Sequence, residues 1–243
     1  ALQSINKAIE IETNSEEIWL IKGLIFLNFI NSCEDAMHSF DRAVEINKDN
    51  FMVWYYRGLA LTKINSFQDA LISFNRAIRL NREISEAWKY RGLALTELER
   101  YEEALASFNK AIELDDQDVS LWQIRGQVQY ELEQYEEALA SFNKAIELDF
   151  EDIKLWANRS RVLYKLGDYE ETLVCFKNVI ELDPENVFSW EIQGRILYEL
   201  KRYEEALQCL DRVIELNSED SDVFFKKAEL LVIMNRWTEG FEI

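Results

Sequence analysis

The sequence predicts an all-α protein, an α-solenoid of stacked antiparallel helix pairs. Three observations predict this fold class. Tryptophan recurs at a nearly constant interval, a glycine follows it at a fixed distance, and a second helical pattern completes each interval. The tryptophans are Trp19, Trp54, Trp88, Trp122, Trp156 and Trp190, and Phe224 continues the series. The first interval is 35 residues and every later one is 34, so one supersecondary unit is repeated along the chain.

Each repeat is predicted to contain two helices, and the third copy is typical. Trp88 and Leu95 mark an apolar face of its first helix, and Glu99 interrupts the pattern. A second helix is predicted over Tyr101–Leu114, where Phe108 lies on the apolar side. Helices of about 14 residues are marginal alone in water. Each must therefore gain its stability from packing against its neighbours.

The repeats are predicted to form one array over residues 1–243. Residues 1–15 align with the second helix of a partial repeat, and residues 221–243 begin another. The six full repeats between them are 16–50, 51–84, 85–118, 119–152, 153–186 and 187–220. Segments 101–115 and 135–149 have the same sequence, YEEALASFNKAIELD. Neither end has the polar cap that repeat arrays need, so we expect further repeats or an effector domain on either side.

The glycines point to a steric constraint. Glycine inside a helix costs about 1 kcal/mol relative to alanine, yet it recurs four residues after most of the tryptophans. Small residues of the second helix, such as Ala104 and Ala111, indicate that the two helices cross closely there and leave room only for a hydrogen. Ser160 and Ala228 take the equivalent place in the fifth and seventh units. The glycines are Gly23, Gly58, Gly92, Gly126 and Gly194.

This pattern of Trp, then Gly, then Ala, Phe and Ala in the second helix resembles the tetratricopeptide repeat (TPR), and the resemblance covers nearly the whole chain. It implies a right-handed superhelix with a concave binding face. Three departures occur. Arginine replaces the Leu before the glycine, Leu replaces a Tyr seven residues after the Trp, and the closing Pro survives only as Pro184. The packing faces and the period persist, so the fold should be unaffected.

Composition narrows the class of partner. Lys and Arg total 27 against 46 for Asp and Glu, which gives a net charge of −19. Nucleic acids and anionic membranes would be repelled at long range, and no apolar run reaches the roughly 20 residues of a membrane span. We therefore predict no nucleic-acid and no membrane partner. Three cysteines without a CxxC motif favour a reducing compartment, which predicts a cytoplasmic protein.

No residue set predicts a reaction. His38 is the single histidine and has no Cys or Ser arranged to use it. The segment from Asp115 to Asp118 resembles the start of a calcium loop, but the required Gly and Glu are missing, and it is better explained as a loop with an Asp N-cap for the next helix. Paired glutamates, such as Glu102 and its neighbour, should complement the positive end of a second helix. We predict no enzyme activity, no metal and no cofactor.

The arginines of the repeat leave two alternatives open. They should stack about 10 Å apart as a ladder of like charges, and so they need carboxylate partners. These could be acids of this chain or acids of a bound segment. The arginines are Arg57, Arg91, Arg125 and Arg159.

A concave face can be inferred from the helical wheel. Residues one position after Trp, Gly and Leu point about 100° away from the second helix, toward what is the concave surface in TPR proteins. Along this face leucines give way to tyrosines flanked by two arginines, which suggests apolar contacts early and acidic contacts late. The candidate binding residues, called the groove set below, are Leu20, Leu24, Tyr55, Leu59, Lys89, Leu93, Gln127, Tyr130, Arg161, Tyr164, Arg195 and Tyr198.

The predicted function is a protein-interaction scaffold that binds a peptide segment or an adjoining domain in its concave groove. It would be the recognition or regulatory segment of a larger protein. Two alternatives remain at this point. The chain could be the non-catalytic TPR region of a multidomain enzyme, such as a caspase-like protease, a kinase or a glycosyltransferase. It could also self-assemble through uncapped ends.

Overall fold

The computed structural model describes residues 2–12, 14–217 and 221–234, and in these residues it forms 14 α-helices and one π-helix. The all-α prediction is therefore confirmed. The chain divides into two compact units, Ala1–Val128 and Gln129–Ile243. The single array over residues 1–243 stays a prediction. The second helix expected after residue 234 lies outside the described residues.

The first unit is a series of antiparallel helix pairs. Its elements are α1 (Leu2–Ile11), α2 (Glu16–Ile25), a π-helix (Phe26–Ile30), α3 (Cys33–Ile46), α4 (Phe51–Lys63), α5 (Phe67–Leu80), α6 (Ser85–Glu97) and α7 (Tyr101–Leu114), and α8 (Val119–Glu131) crosses its boundary. Helix α2 packs on α3, α4 on α5 and α6 on α7. Each pair also packs on the next one, through α3 with α4 and α5 with α6.

The second unit is also a series of antiparallel helix pairs. Its helices are α9 (Tyr135–Leu148), α10 (Ile153–Leu166), α11 (Tyr169–Leu182), α12 (Val187–Glu199), α13 (Tyr203–Leu216) and α14 (Ser221–Ile233). The pairs are α10 with α11 and α12 with α13, joined by contacts of α9 with α10, α11 with α12, and α13 with α14. The paired glutamates lie in the first turn of α7, α9, α11 and α13, as predicted.

In the first three repeats, a phenylalanine of the second helix fills the space that the repeat glycine leaves open. A Cβ built on Gly92 would lie 2.5 Å from Cε1 of Phe108, and Gly58 shows the same distance to Phe74. Both rings are completely buried. The steric constraint is thus confirmed, but the expected neighbour was wrong. An aromatic ring, not a small residue, occupies the crossing.

The turn between the helices of a repeat uses a left-handed residue. Glu99 has φ 57°, Glu133 φ 58° and Lys201 φ 61°, and Gly167 takes the same place with φ 76°. Only glycine adopts this conformation without a steric cost. This backbone reversal explains why the helical pattern breaks at Glu99.

The first repeat absorbs its extra residue in the π-helix. Residues Phe26–Ile30 widen the end of the first helix, and Asn31 then turns the chain with φ 57°. A π-helical turn holds one residue more than an α-helical turn. The 35-residue interval is therefore accommodated before α3 begins.

Five of the repeat tryptophans hold the loop in front of their helix. The indole nitrogen donates to the backbone carbonyl six residues earlier, as Trp88 does to Arg82 at 3.0 Å and Trp156 to Phe150 at 2.9 Å. Trp54, Trp122 and Trp190 make the equivalent bond. The repeated tryptophan thus fixes the junction between consecutive repeats.

Candidate functional site

The arginine ladder is bound within the chain. Nε of Arg91 donates to the Asn75 amide oxygen at 2.8 Å, and its terminal nitrogen donates to the Ser107 hydroxyl. Arg57 uses the same geometry with Asp41 and Ser73, both at 2.8 Å. Each arginine thus binds a residue 16 positions earlier and one 16 positions later, so Arg57 connects α3 with α5 and Arg91 connects α5 with α7. Each arginine links consecutive repeats.

The remaining two arginines follow this scheme with substituted partners. Arg125 donates to Asn109 at 3.3 Å and lies over the Trp122 ring at 4.4 Å. Arg159 donates to Asn143 at 2.8 Å, to the Cys175 sulfur at 2.9 Å and to Glu171 at 2.9 Å.

Arg57 and Arg159 each bind a carboxylate, whereas Arg91 and Arg125 each donate to an asparagine oxygen. Burial lowers the pKa of Arg91 and Arg125. Burial also acts to lower the pKa of Arg159, but the interactions with Glu171 and Cys175 together outweigh it and the net shift is upward. The expected carboxylate partner was wrong for Arg91, because the neutral amide oxygen of Asn75 accepts its hydrogen bond instead.

Most of the groove set in the first unit packs within the fold. Leu20 is 8% exposed in a cluster with Phe40, and Leu24 and Leu59 are partly buried against the same cluster. Tyr55 stacks edge-on with Tyr90, with ring centroids 6.1 Å apart. Burial raises the pKa of Tyr55 above its usual value.

Two other members of the groove set in this unit are partly buried. Lys89 binds Asp118 at 2.7 Å and also reaches Ser120, so its charge is compensated within the chain. Leu93 is partly buried. Burial acts to raise the pKa of Asp118, but the bonds from Lys89 and Ser120 outweigh it and lower the pKa. Asp118 also accepts from the Ser120 backbone N–H at 2.9 Å, which confirms the predicted N-cap.

Four members of the groove set surround one cavity in the second unit. Tyr130 on α8, Arg161 and Tyr164 on α10, and Arg195 on α12 line a cavity of about 290 Å³, called the Arg161 cavity below. Its other walls are Ala157, Ser160, Lys165, Thr172, Phe176, Phe188 and Ile192. Gln127 is exposed on α8 and is not one of the walls.

The Arg161 cavity combines an apolar interior with positive charge at its rim. Phe176 and Ile192 are buried or partly buried, whereas Arg161, Lys165 and Arg195 are exposed. The Arg161 guanidinium lies over the Tyr130 ring, 4.6 Å from its centroid. This cation–π contact orients the charge toward the cavity. The cavity can therefore hold an apolar group and offer cations to groups attached to it.

The tyrosines of the groove set are held by the helix that follows them. Tyr130 packs edge-on against Tyr135 with centroids 5.5 Å apart, and Tyr164 packs in the same way against Tyr169. Tyr198 and Tyr203 are 5.7 Å apart. These contacts fix the rings and leave an edge exposed, since Tyr164 is 40% and Tyr198 41% exposed.

A second cavity, of about 400 Å³, lies beside the first and is called the Leu210 cavity. Its walls include Gly194, Tyr198, Leu210 and Leu230, with Arg195 shared between the two cavities. Glu191, Lys226 and Glu229 also line it. It therefore has mixed charge, unlike the Arg161 cavity.

Sequence reasoning missed Lys165, Phe188 and Ser160 as wall residues. Phe188 is 66% exposed, an unusual exposure for a ring of this size. Ser160 carried a signal, because it departs from the repeat glycine, but only its small size was noted. The wheel argument follows a single helix, whereas Phe188 comes from the neighbouring helix α12.

The thiols and the single histidine of the described residues are not arranged for chemistry. Burial raises the pKa of Cys209 to about 11 and also raises that of Cys175, so both thiols are protonated at neutral pH. His38 packs edge-on against Trp19, with centroids 6.2 Å apart. Within the described ranges, no group of three His, Cys, Asp or Glu could hold a metal ion, and no helix is long and apolar enough to cross a membrane.

The stacked helix pairs define a helical repeat protein. Family models described as tetratricopeptide repeat match residues 30–83, 85–118 and 119–152, and a model described as anaphase-promoting complex, cyclosome, subunit 3 matches residues 151–213. The chain belongs to the tetratricopeptide repeat family, whose fold is generally a non-catalytic scaffold for protein interactions. No curated protein sequence matches it.

Solved structures of other TPR proteins resemble the chain. YrrB, described as a TPR protein with an unusual peptide-binding site, is 26% identical with a TM-score of 0.65, and the match covers 79% of this chain and 98% of YrrB. MamA from Desulfovibrio magneticus is 21% identical with a TM-score of 0.66, covering 70% of this chain and 96% of its own. The C-terminal part of a TPR protein from Cytophaga hutchinsonii is 15% identical with a TM-score of 0.79, covering 91% of both chains.

Proposed function

We propose that this protein is a non-enzymatic scaffold that binds a peptide segment of another protein on the groove face of its second unit. The observation that carries the proposal is the Arg161 cavity, where tyrosine rings, an apolar interior and cations meet at one surface. Tyrosine and arginine are enriched among the residues that dominate binding energy. A partner segment with acidic residues would match the cations.

The internal binding of the arginine ladder supports this choice of face. Arg57, Arg91, Arg125 and Arg159 already have acceptors in the chain, so a ligand would have to displace them. Arg161 and Arg195 are exposed on first helices, and no ion pair is formed by either among the residues that the structure describes. They are better suited to bind an external carboxylate.

Two further observations support the proposal. YrrB, at 26% identity, is itself described as having a peptide-binding site, and the odd number of cysteines suits a cytoplasmic location. The proposal includes no cofactor. The leucines of the first unit are not required for it, because Leu20, Leu24 and Leu59 pack within that unit.

The first prediction tests this face by charge reversal. Peptides selected from a random displayed library on the immobilised full chain would be measured by calorimetry. Arg161→Glu with Arg195→Glu should weaken binding by at least about 2 kcal/mol, roughly 30-fold, because pairing is reversed in a partly desolvated site.

The control is Lys144→Glu with Lys177→Glu, which makes the same change in net charge on the second helices α9 and α11. Circular dichroism should show that both variants keep their helical content. If the selected peptides bind the Arg161/Arg195 variant as tightly as the parent, the groove face is not the binding site and the proposal fails.

A further inference from the structure

The two cavities of the second unit coincide with the two repeats that break the pairing of glycine with phenylalanine. The first three repeats have Gly23 against Phe40, Gly58 against Phe74 and Gly92 against Phe108. The fifth repeat has Ser160 in the glycine position, with Phe176 in the ring position. The sixth keeps Gly194 but has Leu210 in place of the ring. Ser160 and Phe176 line the Arg161 cavity, and Gly194 and Leu210 line the other.

Serine at position 160 excludes the ring from its usual place. In the first three repeats, a Cβ at the glycine would lie 2.4–2.8 Å from ring atoms of the phenylalanine. Ser160 has such a Cβ, and its hydroxyl donates to the Ala157 carbonyl at 2.8 Å on the same helix. Phe176 cannot occupy the crossing as Phe108 does, and it forms a wall of the cavity instead. The space is therefore a product of the substitution.

The charge around this space is unlike that of the chain as a whole. The protein has 46 acidic residues against 27 basic ones, yet the cavity walls include Arg161, Lys165 and Arg195 and no Asp or Glu. In the described part of the chain none of these three cations forms an ion pair. A local excess of positive charge favours an anionic ligand.

We propose that the Arg161 cavity is a specificity pocket for one aromatic side chain flanked by carboxylates, presented by a segment of a partner protein. This inference rests on the proposed function and names the chemistry of its ligand. The ring enters the Arg161 cavity and packs against Phe176, and the carboxylates bind Arg161, Lys165 and Arg195. Arginine can bind a carboxylate through two parallel hydrogen bonds, which gives direction as well as attraction.

The volume of the cavity suits this ligand. An engineered apolar cavity of about 150 Å³ in another protein binds benzene. The space here is about 290 Å³, so a phenylalanine side chain fits with room for its backbone attachment. Phe188, which is 66% exposed at the wall, offers the ligand ring an aromatic partner.

The test uses a fluorescein-labelled peptide with the sequence Gly-Ser-Glu-Glu-Phe-Glu-Glu-Ser-Gly and the full chain, measured by fluorescence anisotropy. Two matched peptides replace the Phe by Ala or all glutamates by glutamine. Four proteins are compared: the parent, Ser160→Gly, Ser160→Ala and Ala157→Phe. Ser160→Gly removes the Cβ so that the Phe176 ring can return, Ser160→Ala keeps the Cβ, and Ala157→Phe fills the cavity from an exposed position.

The parent and Ser160→Ala should bind the Phe peptide at least about tenfold more tightly than the Ala peptide, as burial of one aromatic ring allows. Ser160→Gly and Ala157→Phe should reduce that preference to less than about threefold. The glutamine peptide should bind the parent at least about tenfold more weakly. Ala157→Phe gives an independent answer if Ser160→Gly does not fold.

Three results would overturn the proposed pocket. The first is equal binding of the Phe and Ala peptides to the parent, and the second is an undiminished preference of Ser160→Gly for the Phe peptide. The third is no binding of the Phe peptide to the parent at millimolar concentration. Such a result leaves the proposed function standing if library-selected peptides still depend on Arg161 and Arg195. If binding of the library-selected peptides is also independent of Arg161 and Arg195, both the pocket and the proposed function are refuted.

Discussion

Alanine at Gly92 is expected to destabilise the third repeat although alanine is the better helix former. The added Cβ would lie 2.5, 2.7 and 2.8 Å from three ring atoms of Phe108. These distances are well below van der Waals contact, and the ring is completely buried and cannot move into solvent. Overpacking of this kind costs about 1–3 kcal/mol, whereas Gly→Ala in a helix contributes about 1 kcal/mol of stability. The free energy of unfolding should therefore fall by about 0–2 kcal/mol.

Gly194 provides a matched control for this prediction. A Cβ there would meet only the Cβ of Cys209 at 3.1 Å and the Ala206 carbonyl oxygen at 3.7 Å. The helix contribution should outweigh this milder contact, so Gly194→Ala should leave stability unchanged or raise it by up to about 1 kcal/mol. The same substitution is therefore expected to have opposite effects in the two repeats.

The assay is urea unfolding followed by circular dichroism, combined with amide hydrogen exchange. Exchange is needed because repeat arrays can lose one region before another, and it reports the opening of α6 and α7 separately. The double variant Gly92→Ala/Phe108→Leu should be more stable, by about 1 kcal/mol or more, than the sum of the two single-variant effects predicts. The reason is that the leucine does not reach the new Cβ. If Gly92→Ala is no less stable, relative to the parent, than Gly194→Ala, or if the double variant is strictly additive, the ring does not set the glycine requirement.

Two other predictions concern the turns and the acid response. Glu99→Gly should raise the free energy of unfolding by about 0.5–1 kcal/mol and Gly167→Ala should lower it, because both positions have positive φ; urea titration showing no change in either would contradict this backbone argument. Since the pKa of Asp118 is lowered in the folded chain by Lys89 and Ser120, Asp118 stabilises the fold above about pH 4. This contribution is lost as the pH falls through the lowered pKa. The difference in stability between the parent and Asp118→Asn should therefore shrink on acidification, and a difference independent of pH would exclude the carboxylate as its source.

The sequence predicted the helices well because their signal is repeated. The second helix of the third repeat was expected at Tyr101–Leu114 and has those bounds in the structure. The same pattern occurs in several copies, so a chance pattern in one copy can be recognised by comparing it with the others. The turn at Glu99 was located only as an interruption, because glutamate is not a residue type that indicates a left-handed conformation.

Contacts across the turn were harder to predict. The glycine and its phenylalanine are 16 positions apart, and neither helical nor strand periodicity relates residues at that distance. The arginine partners also lie 16 positions away on either side, and counting acids gave no reason to expect Asn75 or Asn143. In the groove set the wheel gave the direction of each side chain but not its depth, so Leu20 proved to be buried while Tyr164 is exposed.

The serine at position 160 also bears on how a repeat protein can evolve. Near-identical copies, such as α7 and α9 with their shared sequence, give every repeat the same interior and so no means of telling one ligand from another. Glycine and serine codons can differ by a single base. One base change can thus turn a generic repeat into a distinctive one while its helices, turns and tryptophan contacts stay as they were. An array of copies can in this way diversify its surface one repeat at a time, and each copy that keeps the original pairing preserves the stability of the whole.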